Sequence, residues 1–336
     1  MHRARVAAIA LAATVAALLP VASATAAPVV HEVGAGAVSA REYWTAERMR
    51  EAPLLGVRRA AGGALDAAAL SALDPAGPAA GPAVIDPATS RPPRLPAAGA
   101  RITPPPFSTA QVPPAAMTTY PYSANGRLFG SFGRAGNYSC SATVVNSSSR
   151  SVALTAGHCL YERGIGWARR VVFVPAYLNG AHPFGAWDVT RMSATRGWVR
   201  SENFHGDFAA VKLASASGPI GDVVGEEGLV WNQPREQVFQ AIGYPANRGQ
   251  TELMWNCVST SIGADPLDRS RGAAATGIGC DMGGGSSGGG WTIRDSGGNP
   301  FVNGVTSYGY KRVRDILFSP YLTGKVVGVV NRADQG

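Results

Sequence analysis

From about Thr119 onward, short apolar runs alternate with turn-forming Gly, Asn, Pro and Ser residues. Runs of this length, rich in β-branched and aromatic side chains, predict β-strands joined by turns. They cover residues 141–145, 151–155, 170–174, 208–213, 238–242 and 302–307. No helical pattern repeats between them, which argues against a parallel α/β sheet. One helix is predicted over residues 320–330, because a proline such as Pro320 suits the first helical turn. The region is therefore predicted to be all-β with a C-terminal helix.

Residues 1–26 have the pattern of a secretory signal peptide. Arg3 and Arg5 make a basic start, residues 6–19 are apolar, and small residues precede a predicted cleavage after Ala26, with Ala24 as the second choice. The alternative, a retained membrane anchor, is disfavoured because the apolar run is short and ends at Pro20. We therefore expect a secreted, extracellular protein without a membrane partner.

Residues 27–118 are rich in proline and alanine. Fourteen prolines lie between positions 28 and 116, so most of this segment is predicted to be extended or disordered and to resemble a propeptide. One island differs. Ser39 and Glu42 have capping-box spacing, and Tyr43, Trp44 and Met49 can share a helical face. Sequence alone leaves open whether this helix docks on the rest of the protein or stands alone in a linker.

The four cysteines indicate two disulfides, because an even count in an exported protein favours pairing. Three connectivities are open. We favour Cys140–Cys159 and Cys257–Cys280, which join neighbours and close loops of similar size. A zinc site is the weaker alternative, since no C-x-x-C spacing occurs. No metal is therefore expected.

The net charge of +8 does not by itself indicate a nucleic-acid partner. Nucleic-acid surfaces need clustered bases, and the sharpest basic run, residues 163–170, holds only three arginines. We interpret the charge as a solvated basic surface.

Three positions in the order His158, Asp207, Ser287 can build a nucleophilic hydrolase. A serine hydroxyl needs a neighbouring base, and a carboxylate can hold that base in the correct tautomer. Ser287 lies in a run, residues 283–290, whose only other non-glycine residue is Ser286. An α/β-hydrolase needs the order Ser, acid, His, and no histidine follows His205. That fold is therefore excluded.

These motifs resemble the chymotrypsin-like serine proteases. The resemblance rests on residues 140–145 and 155–159 around the histidine, 206–213 after the aspartate, 285–289 at the serine and 304–309. It covers about residues 119–330. Tyr244-Pro245 and Cys280-Asp281 make it most similar to the secreted glutamyl-endopeptidase-like group of bacteria.

The resemblance implies two six-stranded antiparallel β-barrels, residues 119–222 and 223–336, with the site between them. It assigns Ser287 as nucleophile, His158 as base and Asp207 as acid, with the amides of Gly285 and Ser287 as the oxyanion hole. Ser286 is a rival nucleophile, disfavoured because the family's serine precedes two glycines. Asp188 and Asp222 are rival acids that lack an apolar run behind them. The substrate would contact Asp281 and the strand residues Thr306, Ser307, Tyr308 and Gly309.

Two departures from the family pattern affect specificity and activation. Glutamate-specific relatives use a histidine where this chain has Thr306, and Asp281 sits at the spacing of a Lys/Arg selector although Cys280 is displaced. Ser286 replaces the aspartate that switches on trypsin-like zymogens. Propeptide removal is instead expected to leave an end near residue 119, with Arg101-Ile102 and Arg127-Leu128 as candidate processing points.

The sequence therefore predicts a secreted, monomeric serine endopeptidase without metal or organic cofactor. Its partners would be protein or peptide substrates and its own propeptide. Two alternatives stay open: an inactive homologue that acts as a binding protein, and an esterase-like hydrolase with the same triad.

Overall fold

A computed structural model of the chain describes residues 26–34, 39–55, 58–59, 104–214, 217–248, 252–268, 272–310 and 313–335. The strands in chain order are β1 (Val29–Glu32), β2 (Arg58–Arg59), β3 (Phe107–Gln111), β4 (Asn125–Ser131), β5 (Asn137–Val145), β6 (Val152–Thr155), β7 (Tyr161–Glu162), β8 (Gly166–Trp167), β9 (Arg169–Pro175), β10 (Trp187–Ala194), β11 (Ala209–Ala214), β12 (Gly228–Leu229), β13 (Val238–Gly243), β14 (Trp255–Ala264), β15 (Thr276–Gly279), β16 (Gly290–Arg294), β17 (Pro300–Val305), β18 (Tyr308–Gly309) and β19 (Ile316–Ser319). The α-helices are α1 (Ala40–Tyr43), α2 (Ala46–Glu51), α3 (Pro114–Met117), α4 (Arg196–Ser201), α5 (Ile220–Val224) and α6 (Lys325–Asp334).

The first barrel contains six antiparallel strands, in the order β10-β11-β6-β5-β4-β9, and closes through pairing of β9 with β10. Side chains alternate between its two faces because successive residues of a strand point to opposite sides. Ala209, Val211 and Leu213 of β11 lie in the core of the barrel. Ala210, between them, instead packs in the cluster that includes α6.

The second barrel also forms a ring of six antiparallel strands. Five of these strands lie in the order β16-β13-β14-β15-β19. The sixth is a stretch made of β17 and β18 together: β17 pairs with β16, and β18 pairs with β19, which closes the ring. That stretch is interrupted only at Thr306 and Ser307. The predicted all-β fold with two barrels is therefore confirmed.

The C-terminal helix is confirmed, but it begins later than the sequence pattern predicts. Strand β19 ends at Ser319, and α6 starts only at Lys325. Between them, Leu322 is buried in the cluster that also holds Val326, Val329 and Val330 of the helix. The Leu322 carbonyl accepts from the Asn232 amide at 2.9 Å, so it bonds a distant segment and not the first turn of the helix.

Parts of the proline-rich segment are folded onto the barrels, which the prediction of extended or disordered chain did not anticipate. Strand β1 pairs with β10 of the first barrel, and β3 pairs with β14 of the second over five residues. The Ser39–Glu42 capping box is formed. Trp44 is 2% exposed and Met49 is 1% exposed, so the helical island docks rather than standing alone. The predicted signal peptide and Arg101-Ile102 lie outside the described residues, apart from Ala26 at the signal's end.

Arg127-Leu128 is not a processing point in this fold, which corrects one prediction. Arg127 lies in the middle of β4 and is fully buried. Its guanidinium pairs with Glu252 at 2.9 Å and stacks on the rings of Phe129 and Tyr177. The bond is therefore closed to a protease while the barrel is folded.

Both predicted disulfides, Cys140–Cys159 and Cys257–Cys280, are present. The first joins β5 to the turn that carries His158. Within the described ranges, no helix has the length and apolar character needed to cross a bilayer.

Candidate active site

His158 and Asp207 lie next to each other at one end of the paired strands β6 and β11 of the first barrel. His158 lies in a 3-10 turn, Gly157–Cys159, directly after β6, and Asp207 follows another such turn, Phe204–Gly206, directly before β11. Because β6 and β11 are paired, their ends bring the two residues together. The His158 Nδ1 lies 2.8 Å from Oδ2 of Asp207, and the His158 amide donates to Oδ1 at 2.7 Å. Both side chains are fully buried.

The Asp207 carboxylate is held in its charged form. Burial alone would raise its pKa, but the charge and hydrogen bonds of His158, together with the Ser307 hydroxyl at 2.5 Å, outweigh burial and hold the pKa below its usual value. A charged carboxylate at Nδ1 favours the tautomer that carries the proton there. Nε2 of His158 is then the basic nitrogen.

Ser287 lies against the turn that carries His158. The Ser287 carbonyl accepts from the Ser141 amide at 2.7 Å and is 3.7 Å from the sulfur of Cys159. The Ser287 hydroxyl and Nε2 of His158 are both buried, and neither has a hydrogen-bond partner among the described residues. No hydrogen bond therefore joins these two atoms in this structure. A base-assisted nucleophile would transfer its proton between them.

Ser286, the rival nucleophile, is used within its own turn. Its hydroxyl donates to the Gly283 carbonyl at 2.6 Å. The rival acids also lie elsewhere, because Asp188 pairs with Arg41 and Asp222 pairs with Arg150. Of the predicted acids, only Asp207 contacts His158.

The glycine run is a packed turn rather than a flexible linker. Gly285 has φ +89°, and a side chain there would collide with the Tyr244 carbonyl and the Leu54 side chain. Gly288 has φ +80° and lies against Thr155 and the Ser141 carbonyl. Glycine is required at both positions, since other residues pay for positive φ and have no room for Cβ.

Two polar residues of β5, which sequence reasoning missed, hold this turn from the first barrel. The Ser141 hydroxyl donates to the Gly285 carbonyl at 2.8 Å and accepts from the Tyr244 amide at 3.1 Å. The Thr143 hydroxyl accepts from the Gly290 amide at 3.0 Å. The only sequence signal was the polar side chain at every second position of an otherwise apolar strand.

The predicted oxyanion amide of Gly285 is engaged by the N-terminal segment. It donates to the Leu55 carbonyl at 2.7 Å. Leu55 also donates its amide to the Ser139 carbonyl at 2.9 Å, and the Ser139 amide donates to the Pro53 carbonyl at 2.8 Å.

The predicted substrate-binding residues lie together on the other side of the serine turn. The Thr306 amide and carbonyl bond Gly289 and Gly288, and its hydroxyl accepts from the Trp291 indole at 2.9 Å. Ser307 bonds Asp207, as described above. Tyr308 is buried, and its hydroxyl donates to Asp265 at 2.6 Å.

A cavity of about 420 Å³ adjoins this strand, and its lining includes Asp281, Met282, Gly283 and Gly309. The Asp281 carboxylate accepts from Thr109 of β3 at 2.6 Å and forms an ion pair with Arg248. Its charge is therefore already compensated, so an arriving cationic side chain would have to displace that pair.

Comparison with known proteins identifies the superfamily. No protein-family model matches the chain. Among solved structures, the protease Anisep from Arthrobacter nicotinovorans is 34% identical with a TM-score of 0.58, over 64% of this chain and 96% of that one. The thermostable serine protease AL20 from an extremophilic microorganism is 32% identical with a TM-score of 0.58, over 66% and 99%. The chain belongs to the chymotrypsin-like serine protease superfamily.

A more distant superfamily structure and one curated protein complete the comparison. A Glu endopeptidase structure shares the fold at 20% identity and a TM-score of 0.54, over 68% of this chain and 97% of that one. A protein of Bacillus subtilis (strain 168) named extracellular metalloprotease is 30% identical over 112 residues, 33% of this chain. The match spans 34% of that protein, about a third of its length.

That protein is named a metalloprotease, but the described residues around His158 do not fit the donors that a metal ion needs. The described residues bring together one group with metal-ligating side chains, Cys140, His158 and Cys159. The two cysteines are joined in a disulfide, so they offer no thiolate. Within this group only the imidazole of His158 could bind a metal ion.

Proposed function

We propose that the chain is an exported serine endopeptidase that cleaves peptide bonds through an acyl-enzyme. Ser287 is the nucleophile, His158 the general base and Asp207 the residue that orients it. The observation that carries the proposal is the buried Asp207–His158 pair at 2.8 Å, beside a serine turn. The Ser287 hydroxyl and the His158 Nε2 have no hydrogen-bond partner among the described residues, so both are available for the proton transfer that the proposal requires.

In the proposed acylation step, Ser287 Oγ bonds the scissile carbonyl carbon and passes its proton to Nε2 of His158. The imidazolium then gives that proton to the leaving amine as the C–N bond breaks. A water molecule repeats the sequence in the second half and releases the carboxyl product. The amides of Gly285 and Ser287 stabilise the oxyanion in both halves.

We further propose that the acyl half of the substrate lies along Thr306–Gly309 and the leaving half toward Ser139. Tyr308 is suited to support that strand, since its ring stacks on Phe318 and its hydroxyl is tied to buried Asp265. The adjoining cavity would receive the side chain before the scissile bond. Domain limits of 27–118 for the propeptide, 119–222 and 223–336 are proposed with this function.

Replacing Ser287 with alanine tests the proposal. After limited proteolysis to constant activity, we expect Ser287→Ala to lower kcat on a peptide mixture by a factor on the order of 10⁶. Ser286→Ala is the matched control. It removes only a hydroxyl bonded within the turn, and we expect activity within about tenfold of wild type. Equal activity of Ser287→Ala and wild type would refute the assignment.

The two alternatives from the sequence give different results in the same preparation. A binding protein without turnover would not react with a fluorophosphonate, which labels only activated serines. An esterase-like hydrolase would be labelled and would cleave esters while leaving the peptide mixture intact.

A further inference from the structure

We infer that residues 53–55, here called the strap, close the proposed site in the full-length chain by binding between Ser139 and Gly285. The inference rests on the proposed function, because it assigns a regulating partner to the same cleft. Three backbone hydrogen bonds of 2.7–2.9 Å join the strap to these two residues. The Leu54 side chain also fills the space that a Cβ at position 285 would need.

The strap binds the Gly285 amide, which catalysis would need for the oxyanion. An oxyanion must be met by amides that are already aimed at it. The Gly285 amide instead donates to Leu55, so a substrate carbonyl can take that position only after the strap leaves. The reacting side chains are closed off as well, since Ser287 and His158 are both 0% exposed.

The strap runs opposite to the proposed substrate direction. A substrate would place its N-terminal, acyl half on β18 and its leaving half near Ser139. Here residues 53–55 lie at Ser139, and the later residues of β2 pair in parallel with β18. The two described pieces, residues 53–55 and 58–59, are therefore arranged along the cleft in the reverse of the substrate's order. The Leu55 carbonyl accepts from the Gly285 amide, but the reversed chain does not offer its peptide bond to Ser287 for cleavage. The strap therefore acts as an inhibitor rather than a substrate.

A folded anchor, residues 39–52, holds the strap in place on the first barrel. The Trp44 indole donates to the Arg170 carbonyl at 2.6 Å, and its ring packs on Phe129. Arg41 bonds Asp188 with both its amide and its guanidinium, at 3.0 and 2.6 Å. This anchor brings the strap to the cleft with little further loss of conformational freedom, as expected for a preorganised ligand.

The position of the anchor indicates what activation requires. Strand β3 follows the strap in the chain and pairs with β14 of the second barrel. A single cut anywhere between residue 60 and the proposed propeptide limit at residue 118 would leave the anchor bound through its own contacts. Release of the site therefore requires loss of the anchor as well as the cut.

Labelling of the intact full-length chain by a fluorophosphonate tests the strap. The labelling rate follows the fraction of open molecules, so a strap closed in nine of ten molecules slows labelling about tenfold. We expect the double variant Leu54→Gly, Leu55→Gly to label about tenfold faster than wild type. Ile165→Gly, at a 52% exposed aliphatic residue outside the cleft, is the matched control and should label like wild type.

A second variant guards against loss of folding in the first. Leu54→Asp puts a charge beside Gly285 and is compared with Ile165→Asp. If all chains label equally fast, the strap inference is overturned while the proposed function stands. If none labels and peptides stay uncut after removal of residues 26–59, the proposed function falls and takes the inference with it.

Discussion

The two halves of the site are positioned by different means. His158 and Asp207 are fixed by side-chain chemistry, since the carboxylate takes hydrogen bonds from the His158 ring, the His158 amide and Ser307. Ser287 is fixed by backbone shape, in a glycine turn packed against the other barrel. Substitutions should therefore affect the first half through charge and protonation, and the second half through space and main-chain contacts.

Among the substitutions that test this comparison, Asp207→Asn should give the largest effect, and it tests the chemical half. The amide keeps the shape but favours the wrong His158 tautomer, and we expect kcat to fall by about 10⁴-fold with little change in stability. Asp222→Asn, at an exposed carboxylate paired with Arg150, is the control and should keep full activity. Peptide hydrolysis at saturating substrate measures both. A loss below about tenfold for Asp207→Asn would contradict the orienting role.

Gly285→Ala should have the next largest effect and tests the shape of the turn. The positive φ should lower the free energy of unfolding of the alanine variant by about 1 kcal/mol. The collision of its Cβ with the Tyr244 carbonyl should lower it by about 1–3 kcal/mol more. We expect activity to fall about 10²–10³-fold because the Gly285 amide moves.

Gly298→Ala is the control for backbone strain alone. Gly298 also has positive φ, +80°, but nothing lies within 4 Å of an added Cβ. We expect a loss of about 1 kcal/mol in the free energy of unfolding, without loss of activity. Urea unfolding and fluorophosphonate labelling separate the two variants, and equal behaviour would show that the turn tolerates added volume.

Ser141→Ala should give the smallest effect and tests the link between barrels. It leaves the Gly285 carbonyl and the Tyr244 amide without their hydroxyl partner, which should cost about 1–3 kcal/mol of stability. Ser193→Ala in the same barrel is the control. Its buried hydroxyl has no partner among the described residues, so its removal should change stability by about 0.5 kcal/mol or less. Equal losses of stability in urea unfolding would show that the Ser141 hydroxyl does not stabilise the contact between the barrels.

Much of the fold was predictable because its signals are local. Short apolar runs indicated the strands, cysteine spacing indicated both disulfides, and the Ser39–Glu42 capping box marked the start of α1. The predicted helix start was wrong because a tertiary contact, the hydrogen bond from the Asn232 amide to the Leu322 carbonyl, replaces a helical bond after Pro320. The processing point at Arg127 was wrong for the same kind of reason, since only folding buries it.

The sequence by itself determined which residue types stand at the site: a histidine beside a cysteine, an aspartate before an apolar strand, and a serine among glycines. Those motifs are recognisable because each meets a local demand of backbone or chemistry. Only the tertiary structure decided that Ser141 clamps the serine turn and that Leu55 takes the Gly285 amide. Such contacts join residues far apart in the chain. No local pattern encodes them, because they exist only once both barrels have closed.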